Sequence, residues 1–553
     1  MFQISKRFQG QTIKGWTVVA IAIAALISTP VLFVLSSIFS DSGEIWSHLA
    51  STVLPRYLLN SFLLTCGVGI GVSIIGVGTA WLVTMCEFPG NSLFRWALLL
   101  PFAAPGYILA YTYTEFLEFY GPVQTGLREI FGWSSVSDYW FPNIRSTTGA
   151  IALLTLTLYP YVYLLTRVAF LEQSTRTLEA SRSLGRGPWR SFFTVALPLA
   201  RPAIIAGLVL ALMETLNDFG TVQYFGVDTF TTGIYRTWFG MGERVASAQL
   251  AAMLMLLILW LILLELWSRR QAKFYQTGSQ QQHLQRFKLR GIRSFLASAA
   301  CSVPIILGFL VPAGLLLEMT IANKGKSFDS RFWNFASNSL ILAALTAALA
   351  VAIALVLAYG VRLNPTLGMR LAARVAAMGY AVPGSVIAVG ILIPIGRLDN
   401  AIDSWMRSLF GISTGLLLSG TIAALVFAYL VRFLAVAFGT VESSLGKIKP
   451  SLDDAARSLG HNSGSTLVKV HAPMMWGGLL TAAMLTFVDV MKELPATMVI
   501  RPFNFDTLAV RVYNLASDER LSEAAGPALA IVLVGIVPVI LLSMRIGRDR
   551  DGL

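Results

Sequence analysis

Four carboxylates interrupt two of the most apolar stretches of the chain. Glu214 and Asp218 lie in one stretch, and Asp489 and Glu493 lie 275 positions later in another. The two residues of each pair are four positions apart, so on a continuous helix they would share one face. A carboxylate inside a bilayer is costly and usually serves a function. Grouped oxygen ligands of this kind suit a hard, oxygen-seeking cation such as iron(III).

Two interpretations of these carboxylates stay open. They could form a weak acidic path for a cation, or they could form ion pairs that close an outer gate, since Lys492 adjoins Glu493 and Arg236 and Arg511 follow the two apolar stretches. A tight metal site is not expected, because a conduit must release what it binds. We therefore predict a translocation path or gate that holds no metal tightly.

Two Pro-Gly pairs and a tyrosine cluster also lie in apolar stretches. Pro105-Gly106 and Pro383-Gly384 predict kinks in two helices, and we expect these helices to line the same path or gate. A membrane protein tolerates such kinks because neighbouring helices can cover the carbonyl group that proline leaves without a hydrogen bond. Tyr107, Tyr111 and Tyr113 are typical of an interfacial aromatic belt rather than a set of ligands.

Composition places these residues in a membrane protein. The chain has 553 residues, of which 55% are hydrophobic and 13% are charged. A soluble domain carries about 25% charged residues, and an apolar run of about 20 residues is long enough to cross a bilayer. The three cysteines and four histidines show no metal-ligand spacing. We predict an all-α polytopic membrane protein and exclude a soluble enzyme.

Twelve apolar runs predict twelve transmembrane helices. They cover residues 16–39, 58–86, 96–114, 149–171, 199–222, 247–268, 295–320, 336–360, 373–396, 413–437, 474–490 and 525–544. An even number of spans places both termini on the same side of the membrane. The net charge is +13, and with both termini inside, the inner segments hold most of the basic residues. The positive-inside rule then predicts that both termini are cytoplasmic.

A basic linker divides the chain into two halves. Residues 269–294 are rich in arginine, lysine and glutamine and lack acidic residues, which is typical of a solvated cytoplasmic segment. The linker separates six predicted spans in residues 1–268 from six in residues 295–553.

The two halves repeat each other. The sequence Glu-Ala-Ser-Arg-Ser-Leu-Gly at 179–185 returns as Asp-Ala-Ala-Arg-Ser-Leu-Gly at 454–460, and Leu197-Pro198 returns as Ala472-Pro473, all with an offset of 275. Asn60-Ser61 returns as Asn338-Ser339 with an offset of 278, as do the Pro-Gly pairs. Six spans restore the starting side of the membrane. The repeats are therefore predicted to run parallel, with a pseudo-two-fold axis along the membrane normal.

Each copy of the longer motif lies on the predicted inner side, between the fourth and fifth spans of its half. Residues 178–184 predict a short amphipathic helix, Gly185 permits a sharp turn, and a second short helix ends at Pro198. Two short helices at the inner surface would form a rigid knuckle that a soluble partner could hold.

This motif resembles the signature of the permeases of binding-protein-dependent ABC importers. That signature is Glu-Ala-Ala, three residues, Gly, nine residues, an aliphatic residue, one residue and Leu-Pro. The first copy departs from it at Ser181, and the second at Asp454 and Ala472. The resemblance implies that the knuckles dock onto a cytoplasmic ATPase. The implied coupling residues are Glu179, Ala180, Ser181, Gly185, Leu197 and Pro198 in the first copy, and Asp454, Ala455, Ala456, Gly460, Ala472 and Pro473 in the second.

The fused arrangement of two six-span halves resembles the ferric iron permeases and also the thiamine permeases. Four stretches look like the ferric iron group: 214–226, 231–236, 489–497 and 505–511. The resemblance therefore implies import of ferric iron by alternating access. Thiamine, polyamines and organic or inorganic anions remain alternative substrates.

The resemblance also implies the partners. They are two copies of an ABC ATPase and a periplasmic binding protein, around a permease in the bacterial inner membrane. The chain has no phosphate-binding G-x-x-x-x-G-K-[ST] loop, so ATP and Mg would be used by the ATPase, and this chain is predicted to bind no cofactor and to catalyse no reaction. A twelve-span secondary transporter is the rival from another class, but it does not account for the two knuckles.

Overall fold

A computed structural model describes residues 2–41, 43–172, 188–270, 286–323 and 328–551. These ranges are almost entirely helical, which confirms the predicted all-α class. The helices are α1 Phe2–Ser36, α2 Glu44–Thr52, α3 Leu54–Met85, α4 Asn91–Ala97, α5 Gly106–Leu117, α6 Pro122–Phe131, α7 Thr147–Glu172, α8 Pro188–Ser191, α9 Leu197–Asn217, α10 Gly220–Tyr224, α11 Phe230–Tyr235, α12 Arg244–Arg270, α13 Ile292–Ile305, α14 Val311–Ala322, α15 Ser330–Leu363, α16 Leu367–Ala376, α17 Gly384–Phe410, α18 Ile422–Gly446, α19 Ser451–Ser458, α20 Ser463–Thr466, α21 Ala472–Met474, α22 Trp476–Lys492, α23 Pro495–Ile500, α24 Leu508–Ser517 and α25 Leu521–Asp551.

Shorter elements lie between these helices. One-turn 3-10 helices occupy Ser37–Phe39, Leu100–Ala103, Val136–Asp138 and Gly379–Ala381, and π-helical turns occupy Phe192–Ala196, Arg236–Gly240, Ile306–Leu310 and Leu467–His471. Two short strands, β1 Cys86–Glu87 and β2 Phe287–Lys288, pair in parallel. This pairing joins the end of the basic linker to the end of α3.

The length and composition of the helices agree with a polytopic membrane protein. Within the described ranges, ten helices are long and apolar enough to cross a membrane. Two further pairs pass the same test but are sharply bent, Asn91–Ala103 with Gly106–Phe131 by 90° and Ser463–Met474 with Trp476–Lys492 by 81°. The described residues therefore hold twelve spans if each bent pair is counted as one.

Four predicted spans are interrupted or shifted in the structure. The fifth, over 199–222, is interrupted because α9 ends at Asn217 and α10 begins at Gly220. The third is not continuous over 96–114, because the chain bends after the 3-10 turn at Leu100–Ala103. The ninth begins at Gly384 rather than 373, since α16 and a second 3-10 turn precede it. The tenth begins at Ile422 rather than 413, where the Thr421 hydroxyl accepts a hydrogen bond from the N–H of Ala424. Apolar composition alone does not show these helix ends.

The described chain contains two compact units, and each draws on both predicted halves of the sequence. The first unit comprises residues 1–43, 234–255 and 330–510. Helices α15, α18 and α22 pack together at its centre, and α1 packs against α16 and α17. The contact between α1 and α17 is close, since a Cβ at Gly390 would lie 2.5 Å from the carbonyl oxygen of Pro30.

The second unit comprises residues 44–233, 256–329 and 511–553. Helices α3, α7 and α9 pack together at its centre, and α14 packs against α25. These three central helices are the first-half counterparts of α15, α18 and α22. The boundaries 1–268, 269–294 and 295–553 stay a prediction, as does the pseudo-two-fold axis.

One hydrogen bond recurs at equivalent positions of the repeat. The side-chain Nδ2 of Asn60 donates to the carbonyl oxygen of Asp228 at 2.8 Å, and that of Asn338 donates to the carbonyl oxygen of Asp506 at 3.1 Å. Each bond ties the start of a long central helix to a loop 168 residues further along the chain. The repeated asparagine therefore has the same local role in both halves.

Replacement of either asparagine by leucine should destabilise the protein to a similar extent. Asn60→Leu and Asn338→Leu should each lower the free energy of unfolding by about 1 kcal/mol, or roughly 1 °C in Tm for a chain of this length, because a half-buried carbonyl loses its donor. Thermal unfolding in detergent measures this, with exposed Asn400→Leu as the control. A loss confined to one of the two variants would show that the contacts are not equivalent.

Candidate functional site

The second knuckle folds as a helix, a turn and a second helix. Helix α19 ends at Ser458, and Gly460 turns the chain with a φ of +82°. Asn462 then caps α20, because its side-chain oxygen accepts a hydrogen bond from the N–H of Ser465 at 2.8 Å. A π-helical turn continues to α21, which Ala472 and Pro473 open. The helix and the glycine turn match the predicted knuckle, but the second helix does not end at the proline, because Ala472 and Pro473 lie inside a helical stretch that continues to Met474.

The first knuckle is only partly described. Glu179, Ala180, Ser181 and Gly185 lie outside the described residues. Leu197 and Pro198 open α9 directly after the π-helical turn at Phe192–Ala196, so the second helix of this knuckle does not end at Pro198 as predicted.

The second knuckle exposes apolar side chains. Leu459 is 79% exposed and Val468 is 67% exposed, whereas Ala456 is buried. Asp454 forms an exposed ion pair with Arg457 at 2.6 Å, and Ala455 is exposed beside it. An apolar tip with charged residues beside it is the composition expected of a surface that a partner protein covers.

A partly buried ionic cluster, which the sequence analysis missed, anchors this knuckle. Asp453 of α19 receives hydrogen bonds on Oδ2 from Nε and Nη2 of Arg362, at 2.9 and 2.7 Å. Its Oδ1 lies 2.7 Å from Nε2 of His471. Burial alone would raise the pKa of the Asp453 carboxyl, but hydrogen bonds from Arg362 and His471 and the charge of Arg362 hold this pKa below its usual value.

Asp218 acts as a helix cap. Helix α9 ends at Asn217, so Asp218 lies beyond the helix with extended backbone angles. Its Oδ1 accepts a hydrogen bond from the N–H of Val222 and its Oδ2 accepts one from the hydroxyl of Thr221, both at 3.0 Å. The carboxylate thus satisfies the first turn of the short helix α10.

Glu493 occupies the equivalent position in the second half. Helix α22 ends at Lys492, and the Glu493 carboxylate accepts hydrogen bonds from the N–H of Ala496 at 2.8 Å and the N–H of Thr497 at 3.0 Å. It also receives the Thr497 hydroxyl at 2.6 Å and forms a buried ion pair with Arg432 at 3.1 Å. Both carboxylates therefore support a short helix that follows a helix break.

These breaks correct one prediction. Glu214 and Asp489 lie within α9 and α22, but Asp218 and Glu493 lie beyond the ends of those helices. The members of each pair do not share the face of one continuous helix. Within the described residues, no group of three or more His, Cys, Asp or Glu side chains could hold a metal ion.

The Pro-Gly pairs adjoin the capping carboxylates. Pro105 and Pro383 are the residues before α5 and α17, so each pair marks the start of a new helix rather than a kink within one. A Cβ at Gly106 would lie 2.9 Å from the Thr221 hydroxyl and 3.7 Å from Oδ2 of Asp218.

The second Pro-Gly pair makes a tighter contact. A Cβ at Gly384 would lie 2.7 Å from both Nη1 of Arg432 and Oε1 of Glu493. The structure thus brings together sequence-predicted residues that are about 110 positions apart, Gly106 with Asp218 and Gly384 with Glu493. The absence of a side chain at each glycine lets one helix start against the cap of another.

The prediction of an interfacial tyrosine belt is wrong. Tyr107, Tyr111 and Tyr113 are all buried. The ring of Tyr111 packs edge-on against that of Tyr224, and the hydroxyl of Tyr113 donates to the carbonyl oxygen of Leu307 at 2.5 Å. Neighbouring helices enclose these side chains, and the spacing of the three tyrosines in the sequence could not show this.

Comparison with known proteins supports the resemblance found in the knuckles. Residues 4–273 match the family described as "Binding-protein-dependent transport system inner membrane component". The chain is 28% identical over 496 residues to the Fe(3+)-transport system permease protein FbpB 2 of Haemophilus influenzae, covering 88% of this chain and 90% of that protein. The chain belongs to the permeases of ABC importers.

Two further relatives show the range of the family. The ferric transport system permease protein FbpB of Actinobacillus pleuropneumoniae is 22% identical over 540 residues, covering 92% of this chain and 74% of that protein. The molybdenum transport system permease protein ModB of Escherichia coli is 32% identical, but over 150 residues that cover 27% of this chain and 62% of that protein.

Membership of this family establishes several general properties. This permease is a multi-pass protein of the inner membrane, as the family description and the apolar helices show. It works with a binding protein and an ATPase, and it is itself a transport component rather than an enzyme. The individual coupling and path residues stay predictions.

Gly384→Ala should destabilise the permease more than Gly106→Ala. The added methyl at 384 would displace a buried ion pair, at an expected cost of about 2–3 kcal/mol, whereas at 106 the closest atom is a single hydroxyl. The control is Gly439→Ala in α18, where nothing lies within 4 Å of the added atom. Thermal unfolding in detergent compares the three. Equal stability of the Gly384 and Gly439 variants would refute the close contact.

Proposed function

We propose that this permease imports ferric iron, delivered by a periplasmic binding protein, by alternating access. The observation that carries the proposal is the similarity to the Fe(3+) permease of Haemophilus influenzae, which extends over about nine-tenths of both chains. The similarity to the molybdenum permease is confined to about a quarter of this chain. Acidic residues at both helix breaks also favour a cation over an oxyanion, because like charges repel.

The contacts at the breaks favour a gate over a binding path. Glu493 is 5% exposed, and its carboxylate oxygens accept hydrogen bonds from Arg432 and from two backbone N–H groups. Both carboxylate oxygens of Asp218 likewise accept hydrogen bonds from residues of α10. Carboxylates with these hydrogen bonds stabilise the helix breaks. Few of their lone pairs remain for tight binding of a metal. Selectivity then belongs mainly to the binding protein.

We propose that one ATPase subunit docks at each knuckle, so that two copies serve one permease chain. Both termini would then be cytoplasmic, on the side of the knuckles, and the binding protein would dock on the opposite side. The permease chain would bind no cofactor, since ATP and Mg would be used by the ATPase subunits. Closure of the ATPase pair would move the knuckles and rock the helices that follow them.

Gly460→Val should weaken docking of the ATPase without preventing membrane insertion. A residue with a Cβ at a φ of +82° is strained by about 1–2 kcal/mol, which corresponds to a loss of affinity of roughly tenfold. Nothing lies within 4 Å of an added Cβ, so the effect should come from the backbone alone. Co-purification with the ATPase measures docking.

Gly446→Val is the matched control, because that site is equally open but has no positive φ. Full ATPase occupancy of the Gly460 variant would contradict the proposed role of the turn. Gly185→Val should behave like Gly460→Val if the first knuckle has the same turn.

The double variant Asp218→Asn with Glu493→Gln distinguishes a path from a gate. It keeps the shape of both caps and removes two negative charges, one of them the countercharge of Arg432. Uptake of radiolabelled ferric iron and ATP hydrolysis are measured together in vesicles that contain the ATPase and receive loaded binding protein. We expect raised basal hydrolysis with lower uptake, because a loosened gate uncouples the two processes.

Lower uptake with hydrolysis that still depends fully on the binding protein would instead support a path. If the wild-type permease carries thiamine, a polyamine or an anion but no iron, the proposed substrate is wrong and the family assignment stands.

A further inference from the structure

We propose that Arg362, Asp453 and His471 form an ionic clamp that fixes the second knuckle to the transmembrane helices, and that the first knuckle lacks this clamp. The inference rests on the proposed docking of an ATPase at each knuckle. It assigns positioning roles to three residues outside the coupling signature, and it predicts that the two knuckles transmit movement unequally.

One carboxylate joins three elements of the fold. Asp453 lies in α19 directly before Asp454 of the coupling motif, Arg362 lies in the last turn of α15, and His471 ends the π-helical turn that leads into α21 and α22. Each oxygen of Asp453 has its own partner, since Oδ2 receives Arg362 and Oδ1 receives His471. The knuckle is therefore tied to the helices before and after it.

Arg362 extends the connection to a fourth element. Its Nη1 donates to the carbonyl oxygen of Leu445 at 2.8 Å, and its Nη2 donates to that of Lys449 at 3.3 Å. These carbonyls lie at the end of α18 and in the turn before α19. A guanidinium that bonds a carboxylate and two carbonyls has a fixed orientation, which a lysine ammonium in its place would not reproduce.

The environment of His471 defines how it takes part. The residue is fully buried, and its ring centroid lies 5.4 Å from that of Tyr359 in α15. Among the described residues, Nδ1 has no hydrogen-bond partner. We assign the proton to Nε2, because an ionised carboxylate can only accept and an unpaired buried N–H at Nδ1 would be costly. His471 thus donates one charge-assisted hydrogen bond to Asp453.

The first half has apolar or neutral residues at the three equivalent positions. The offset of 278 that relates α3 to α15 places Thr84 at the position of Arg362. The offset of 275 that relates the knuckles places Leu178 and Ala196 at the positions of Asp453 and His471. Thr84 and Ala196 are buried, and Leu178 lies outside the described residues. No residue of this set can form an ion pair.

The difference has a mechanical consequence. In the second half, movement of α19 should carry α15 and α22 with it, because ionic hydrogen bonds resist separation in a largely buried site. Asp453 and Arg362 have side-chain exposures of only 14% and 16%. In the first half, the residues at the equivalent positions carry no charge, so we expect no ionic resistance to such separation there. The second knuckle should therefore couple ATPase closure to helix movement more tightly than the first.

The test uses the permease reconstituted in liposomes with its ATPase and binding protein. His471→Ala removes the donor, and His471→Gln restores an N–H group that can reach Asp453. Thr84→Val is the matched control at the first-half position, because it keeps the size of a buried residue that carries no charge. The readouts are ATPase bound at saturation and the stimulation of ATP hydrolysis by the binding protein.

We expect His471→Ala to lower the stimulation by about tenfold, the scale of one lost charge-assisted hydrogen bond, while ATPase bound at saturation stays within about twofold of wild type. His471→Gln should recover most of the stimulation, and Thr84→Val should match wild type. A purely structural role would instead reduce bound ATPase and stimulation together.

Wild-type stimulation in His471→Ala, or no recovery in His471→Gln, would overturn the clamp. If His471→Ala does not yield folded protein, Arg362→Lys keeps the charge but loses the planar contacts, and it should give the same selective loss of stimulation. A wild-type permease that binds no ATPase would refute the proposed function itself, which separates the two failures.

Discussion

A lipid bilayer offers no hydrogen-bond partner to a broken helix, so the protein must satisfy every interruption of a span by itself. This permease breaks its helices after Asn217 and after Lys492, and each break exposes the first N–H groups of a short following helix. Asp218 and Glu493 supply the acceptors. Gly106 and Gly384 then allow another helix to start against each cap. The short helices that follow the two breaks depend on these two caps.

The two halves share this plan but differ in charge. By the repeat offset of 275, Thr157 occupies the position of Arg432, so only the second cap has an arginine countercharge from that position. The same half carries His471 and Asp453 where the first has Ala196 and Leu178. Ionic contacts therefore distinguish the second half both at its helix break and at its knuckle. A fused chain permits such divergence, because each half can specialise without a change in the other.

Much of the fold could be predicted from the sequence, because bilayer thickness sets the length of an apolar run. The repeated Asn60 and Asn338 also proved to make the same contact. The prediction that the carboxylates of each pair share one helix face was wrong. A spacing of four residues gives a shared face only on an unbroken helix, and α9 and α22 end one residue before Asp218 and Glu493. The cluster at Asp453 was missed because its partner Arg362 is 91 residues away in sequence.

The central claim is that ATP hydrolysis by a partner drives transport through this chain. The most direct measurement compares vesicles that contain the permease alone with vesicles that also contain the ATPase, both given binding protein loaded with ferric iron and both tested with and without a proton or sodium gradient. We predict uptake only with the ATPase and ATP, irrespective of the gradient. Uptake by the permease alone, driven by an ion gradient, would contradict the account and identify a secondary transporter.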